Sequence, residues 1–150
     1  MTKHHFLLKA HWPGGRNDVG DLSCGNLKTS ISVPPEMDGP GIGTNPDEML
    51  LGAAATCYII TLAAILDNSR VEKEDLSIIS EGIVLVDKGV PTYQKIIHRP
   101  TILLKSNASE RDVKMTHKLA HKAETSCMIS RAIRENVEME LEVTIKIATT

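Results

Sequence analysis

Three cysteines, Cys24, Cys57 and Cys127, are the residues of this chain best suited to covalent chemistry. They lie far apart and lack the close couplets of a zinc ribbon or a thioredoxin-type redox pair, and three thiols cannot all pair within one chain. That usage fits a reducing, cytoplasmic compartment in which the thiols are either reactive or inert. Cys57 stands in Ala55-Thr56-Cys57-Tyr58-Ile59. In such surroundings a cysteine is ordinarily a small core hydrophobe, because burial raises its pKa. To act as a nucleophile it needs a fixed positive charge beside it, since a thiol with a pKa of about 8.5 is mostly protonated at neutral pH. Arginine suits that role because it stays charged in apolar surroundings.

Cys127 begins Cys127-Met128-Ile129-Ser130-Arg131 at an expected helix N-terminus. Unpaired backbone N–H groups there favour a thiolate; an inert buried thiol is the alternative. His117 and His121 are four residues apart and share one helix face, as two zinc ligands would. Lys118 and Lys122 crowd the same helix, so a solvated face is the better reading, with a metal-binding module as a third functional class. Pro13-Gly14-Gly15-Arg16 lacks the following helix of a phosphate loop and reads as a turn that presents Arg16.

These residues need a scaffold, and the chain of 150 residues suffices for one domain, 1–150, at a size where pairing with a second copy is common. A net charge of −2, no long Lys/Arg run and only one Trp, one Phe and two Tyr argue against nucleic acid. The first residues hold only three consecutive apolar positions, Phe6-Leu7-Leu8, too few for the core of an export signal.

Residues 3–12 and 26–34 read as strands, and the Gly- and Pro-rich stretch from Pro35 to Pro46 as a loop. Thr44-Asn45-Pro46-Asp47-Glu48 then supplies a cap, a proline for the first turn and two acids where the helix dipole favours them. From Met49 to Leu66 no residue carries a formal charge, which predicts a central helix buried all round. Its length approaches that of a membrane span, but its Ala, Gly, Thr, Cys and Tyr content makes it weakly hydrophobic, so a core helix is expected and no membrane association.

Leu76–Val86 and Lys95–Lys105 read as a hairpin, with Pro100 marking a bulge or an edge. Ser109 with Asp112 can cap a second helix, running to about Ala123, and a third is expected from Ser126 to about Asn136. Val137, Met139, Leu141, Val143, Ile145 and Ile147 alternate as one closing strand. The order predicts an α+β fold with a mainly antiparallel sheet.

Taken in order, Gly14-Gly15-Arg16, then Gly43-Thr44-Asn45-Pro46-Asp47-Glu48-Met49-Leu50 leading through Gly52-Ala53-Ala54 to Cys57, and finally Ser126-Cys127-Met128-Ile129-Ser130, resemble the OsmC/Ohr family of thiol-dependent hydroperoxide reductases. The resemblance covers nearly the whole chain and implies an OsmC-like fold in an intertwined homodimer. It implies Cys57 as the peroxide-reducing thiol, Arg16 as the arginine that holds it as thiolate and Asp47 as the acid that orients the arginine, with Glu48 as a rival. Cys127 would resolve the sulfenic acid as a disulfide that a lipoyl-type dithiol reopens. Arg16 falls where the Ohr-like branch keeps its arginine.

The implied reaction uses an organic hydroperoxide and no metal or organic cofactor. The rival function is a protein of the same fold that binds a hydrophobic ligand or reacts with other electrophiles, its peroxidase activity vestigial. The chain departs from the family pattern at Asp47, where Glu is usual, and at Met128, where Pro is common; Cys24 has no counterpart. An unbroken helix would separate Asp47 from Cys57 by about 15 Å. Either the chain bends near Gly52, then, or a second subunit brings its own acid and arginine to Cys57.

Overall fold

The computed structural model describes residues 1–150, which form two compact units, 1–49 and 50–150. In the first unit β1 (Lys9–His11), β2 (Gly20–Cys24) and β3 (Leu27–Ile31) make an antiparallel sheet in that order. The early strand is thus shorter than expected: residues 1–8 are exposed and unpaired, and only Lys9–His11 find partners, on β2. Hydropathy does not single out β2, which carries Asp21 between its buried Gly20 and Leu22 and Ser23 after them.

The loop that follows holds one 3-10 turn, Pro35–Met37, and is laced back onto β3. Ser32 Oγ donates to Ile42 O at 2.8 Å and accepts from Ile42 N–H at 2.7 Å, and Thr44 N–H donates to Ser30 O at 2.9 Å. Gly43, at φ 68°, lies so close to the Ser30 carbonyl that no side chain fits. This lacing fixes where the next helix starts.

That helix, α1 (Pro46–Asn68), carries the chain from the first unit into the second. Asn45 caps it by accepting from Glu48 N–H at 2.9 Å, and the Thr44 hydroxyl donates to Glu48 Oε1 at 2.9 Å. The helix continues through Gly52 without a break. Within the single chain it is not covered on every side, contrary to the expectation. Ala54, Tyr58, Leu62 and Leu66 form one buried stripe at four-residue spacing, while Gly52, Thr56, Ile60 and Ala64 form an exposed one. By length and hydropathy α1 could cross a membrane, but its buried stripe belongs to the core of the second unit.

That core rests on a long hairpin, β4 (Lys73–Asp87) and β5 (Val90–Leu104), turned at Lys88-Gly89. Ile96, His98, Pro100, Ile102 and Leu104 alternate along β5 on one fully buried face. The register shifts twice, at Lys73/Asp75 and at Ile83/Val84, and not at Pro100. Pro100 sits where β5 changes partner instead. The strand after it, β6 (Glu138–Leu141), pairs with 95–98 and β7 (Thr144–Ile147) with 101–104, both parallel, so a missing N–H at Pro100 costs no ladder bond on that side. The single closing strand expected from the alternation is therefore two, parted at Glu142-Val143, and the antiparallel sheet gains two parallel pairings.

Two helices separate β5 from β6. A full capping box at Ser109 and Asp112 starts α2 (Glu110–Ser126). Its Ala120 and Ala123 join Tyr58, Leu62, Leu66, Ile102 and Leu104 in the main core cluster. Tyr58 Oη donates to Ala120 O at 2.9 Å, tying α1 to α2 inside that core. A short helix, α3 (Met128–Ile133), follows with Cys127 as its N-cap and ends three residues before the expected limit.

Candidate active site

The second unit brings Cys57 and Cys127 together across 70 residues of sequence: their side chains share a hydrogen bond. Each owes its place to a local feature. Cys57 occupies the part of α1 between its buried and exposed stripes and is partly exposed, whereas Cys127, between α2 and α3, is fully buried. The Cys127 backbone is anchored at both ends, its N–H donating to Ala123 O at 2.9 Å and its carbonyl accepting from Arg131 N–H at 3.0 Å.

The two thiols move in opposite directions. Burial alone pushes Cys57 up, but it accepts hydrogen bonds from the Cys127 side chain, the N–H groups of Ile129 and Met128 and the Thr61 hydroxyl. Together these outweigh desolvation and leave Cys57 below the ordinary thiol value. Burial also pushes Cys127 up, and there the bond with Cys57 and a negative charge on Cys57 add to it, so that the opposing backbone N–H of Ser130 leaves it raised. Ser130 is fully buried on α3.

The start of α3 thus stabilises a thiolate, as its unpaired amides should, but the thiolate is that of Cys57 and not of the capping Cys127 itself. A cysteine at the N-cap position was expected to be the beneficiary. The amides of Met128 and Ile129 instead point to a sulfur on another helix. Met128, where proline is common in the family resembled, supplies an N–H that proline lacks.

The remaining expected site residues belong to the first unit. Arg16 belongs to the first unit, where its guanidinium donates to Met37 O at 2.6 Å and Asn17 Oδ1 at 2.9 Å. Asp47 and Glu48 stand in the first turn of α1, and the helix puts Asp47 about 15 Å before Cys57 along its axis. Glu48 is engaged in the helix start through Thr44. Cys24 ends β2 as a partly exposed free thiol. His117 and His121 lie with ring centroids 4.9 Å apart and tilted by 44° on the exposed side of α2, and no group of three or more His, Cys, Asp or Glu side chains is placed to hold a metal ion. Sequence reading missed Thr61, whose only outward signal was its place one turn beyond Cys57.

A small α+β scaffold that joins a lowered helical cysteine to a raised second one defines a class of two-cysteine thiol proteins. The match to the family model of OsmC-like proteins spans residues 39–142, and the chain belongs to that family. It is 68% identical over 147 residues to YmaD, an uncharacterised protein of Bacillus subtilis, with 98% of both chains covered. Among solved structures it is similar to an organic hydroperoxide resistance protein OsmC from Legionella pneumophila, with a TM-score of 0.76, 26% identity and 96% and 99% of the two chains covered. The organic hydroperoxide resistance protein OhrB of Bacillus subtilis shares the fold, with a TM-score of 0.71, 22% identity and 94% and 98% coverage.

Proposed function

We propose that this protein is a cytoplasmic thiol peroxidase that reduces organic hydroperoxides to alcohols. The Cys57 thiolate attacks the terminal peroxide oxygen, the O–O bond breaks, and the alkoxide takes a proton to leave as alcohol, with Cys57 as sulfenic acid. Cys127 then attacks that sulfur, a disulfide forms and water leaves. A lipoyl-type dithiol reopens the disulfide by exchange and is itself oxidised. The observation that carries this reading is the hydrogen bond between Cys57 and Cys127, with the first thiol lowered and the second raised. Those are the states wanted of an attacking thiolate and of a resolving thiol held in reserve.

Small and aliphatic neighbours on α1 favour alkyl peroxides over hydrogen peroxide, since each buried methylene adds about 0.8 kcal/mol. Arg16 and Asp47 complete the site in a homodimer, where a partner subunit supplies the arginine and an acid, since one straight α1 sets Asp47 about 15 Å from Cys57 along its own axis. The exposed Gly52, Thr56, Ile60 and Ala64 stripe supports such a partner, because its small residues admit a second helix closely.

The test is consumption of an alkyl hydroperoxide by pure protein with dihydrolipoamide, compared with a monothiol, in the wild type and in Cys57→Ser. Turnover should need the dithiol and vanish in the folded variant. Undiminished turnover by folded Cys57→Ser would end the assignment.

A further inference from the structure

Cys127 alone separates α2 from α3, and with φ −58° and ψ 124° it is the one break in the helical run from Glu110 to Ile133. Its backbone bonds reach one helix each, the N–H donating to Ala123 O at 2.9 Å and the carbonyl accepting from Arg131 N–H at 3.0 Å. Neither of those bonds ties the two helices together. Arg134 does so. From its place as C-cap of α3 it sends Nη2 back across the corner to Glu124, donating to the backbone O at 3.0 Å and to the carboxylate Oε1 at 3.0 Å.

We propose that Arg134 is a positioning residue for Cys127: by clamping α3 onto the last turn of α2 it fixes the one-residue corner from which the Cys127 sulfur meets Cys57. The inference rests on Cys127 being the resolving thiol of the proposed peroxidase. The clamp suits the helix end it grips. Glu124 O belongs to the final turn of α2, whose carbonyls run out of amides within the helix. That turn holds no basic residue, so Arg134 supplies from the next helix the cation that the negative end of the dipole favours. The Glu124 side chain is only 14% exposed, which sets this pair apart from the mobile surface pairs that contribute little. Resolution is a race in which Cys127 must reach the Cys57 sulfenic acid before a second peroxide does. Intramolecular attack slows steeply with small displacements, so a loose corner loses that race. The first attack on peroxide, made by Cys57 from α1, is left untouched.

Its test uses a Cys24→Ser background, to remove the unrelated thiol, and compares wild type, Arg134→Gln, Arg134→Lys and Ser109→Ala. The last removes the cap at the far end of α2, so it loosens the same helix away from the corner. In glutathione buffers of graded redox ratio, one glutathione disulfide oxidises Cys57 and Cys127 to a disulfide and leaves as two glutathiones. The midpoint then gives the effective concentration of one thiol at the other. Arg134→Gln should lower that concentration about tenfold and Arg134→Lys by less, while Ser109→Ala should match wild type. With graded cumene hydroperoxide, Arg134→Gln should reach Cys57 sulfinic acid at about a tenfold lower peroxide concentration, with the initial rate of Cys57 oxidation unchanged.

An effective concentration equal in Arg134→Gln and wild type overturns the proposal. So does an equal fall in Ser109→Ala, which marks a general loosening of α2. If circular dichroism shows Arg134→Gln misfolded, Arg134→Lys against Ser109→Ala makes the same comparison. A lowered effective concentration in a protein that never consumes cumene hydroperoxide would leave Arg134 as the clamp and remove the peroxidase reading. Normal peroxide turnover with an unmoved effective concentration would do the reverse.

Discussion

Cys57 and Cys127 share one hydrogen bond, and it moves their acidities apart: it lowers Cys57 and raises Cys127. A donor to a thiolate is held more tightly as the acceptor gains charge, so ionising the first thiol keeps the second protonated. The first proton lost by the pair is therefore that of the more accessible sulfur.

Removing the second thiol should separate attack from resolution. Cys127→Ser retains a hydroxyl donor but cannot form a disulfide with the Cys57 sulfenic acid. We expect one equivalent of alcohol per site and then arrest, with Cys57 open to sulfinic acid. Intact mass after one equivalent of peroxide reads this directly. An intramolecular disulfide with Cys24 instead would show that Cys127 is not the only resolving thiol.

A second prediction uses the amide of Met128. Proline is accommodated at the first position of a helix, and the preceding Cys127 has φ −58° and ψ 124°, compatible with a following proline. Met128→Pro therefore deletes one N–H from the Cys57 cradle while leaving α3 intact. The thiolate midpoint of Cys57 should rise relative to Met128→Ala, by about one unit for a loss of one such bond. Thiolate absorbance at 240 nm against pH checks it, and equal midpoints in the two variants would remove the amide from the cradle.

Much of this arrangement could be read from residue types. Asn45-Pro46-Asp47-Glu48 announces the start of α1, and Ser109 with Asp112 that of α2, because caps are local and depend on side chains close in sequence. The break between β6 and β7 could not, since the alternation continues through Glu142-Val143 and only the position along β5 at which each strand pairs changes. Within the site the two cysteines stood out as residue types, but the amides of Met128 and Ile129 carry no side-chain signature. Thr61 looked like any threonine in an apolar helix. Donors to a sulfur on another helix are set by tertiary packing, which spacing along the chain does not encode.

The shared-site dimer leads to a complementation experiment. Cys57→Ser and Arg16→Ala chains, each inactive as homodimers, should regain activity when mixed and refolded together. In a mixed dimer one of the two sites recovers both groups, so random pairing should restore roughly a quarter of wild-type turnover. Sedimentation at micromolar concentration should show the dimer. A monomer there, or mixed dimers as inactive as the parents, would return the arginine to the cysteine of its own chain.

The last prediction concerns His98, which is fully buried on β5, stacks on Tyr58 at a ring separation of 5.1 Å and places Nδ1 2.6 Å from Ser80 Oγ. Its Nε2 has no partner, and burial pushes its pKa down from 6.5 to about 4. The sign follows from linkage. The unfolded chain takes up a proton near 6.5 and the folded one only near 4, so between these values the unfolded state binds more protons and stability falls as pH falls. Above the upper value both states are neutral and this group adds no pH dependence. The loss across the window should be on the order of 2 kcal/mol. Urea denaturation at pH 7 and pH 4.5 measures it, with His98→Gln as the comparison. The variant lacks the titrating group and keeps an amide for Ser80, so its stability should change less over the same interval. If wild type and His98→Gln lose stability equally, the acid sensitivity belongs to other groups.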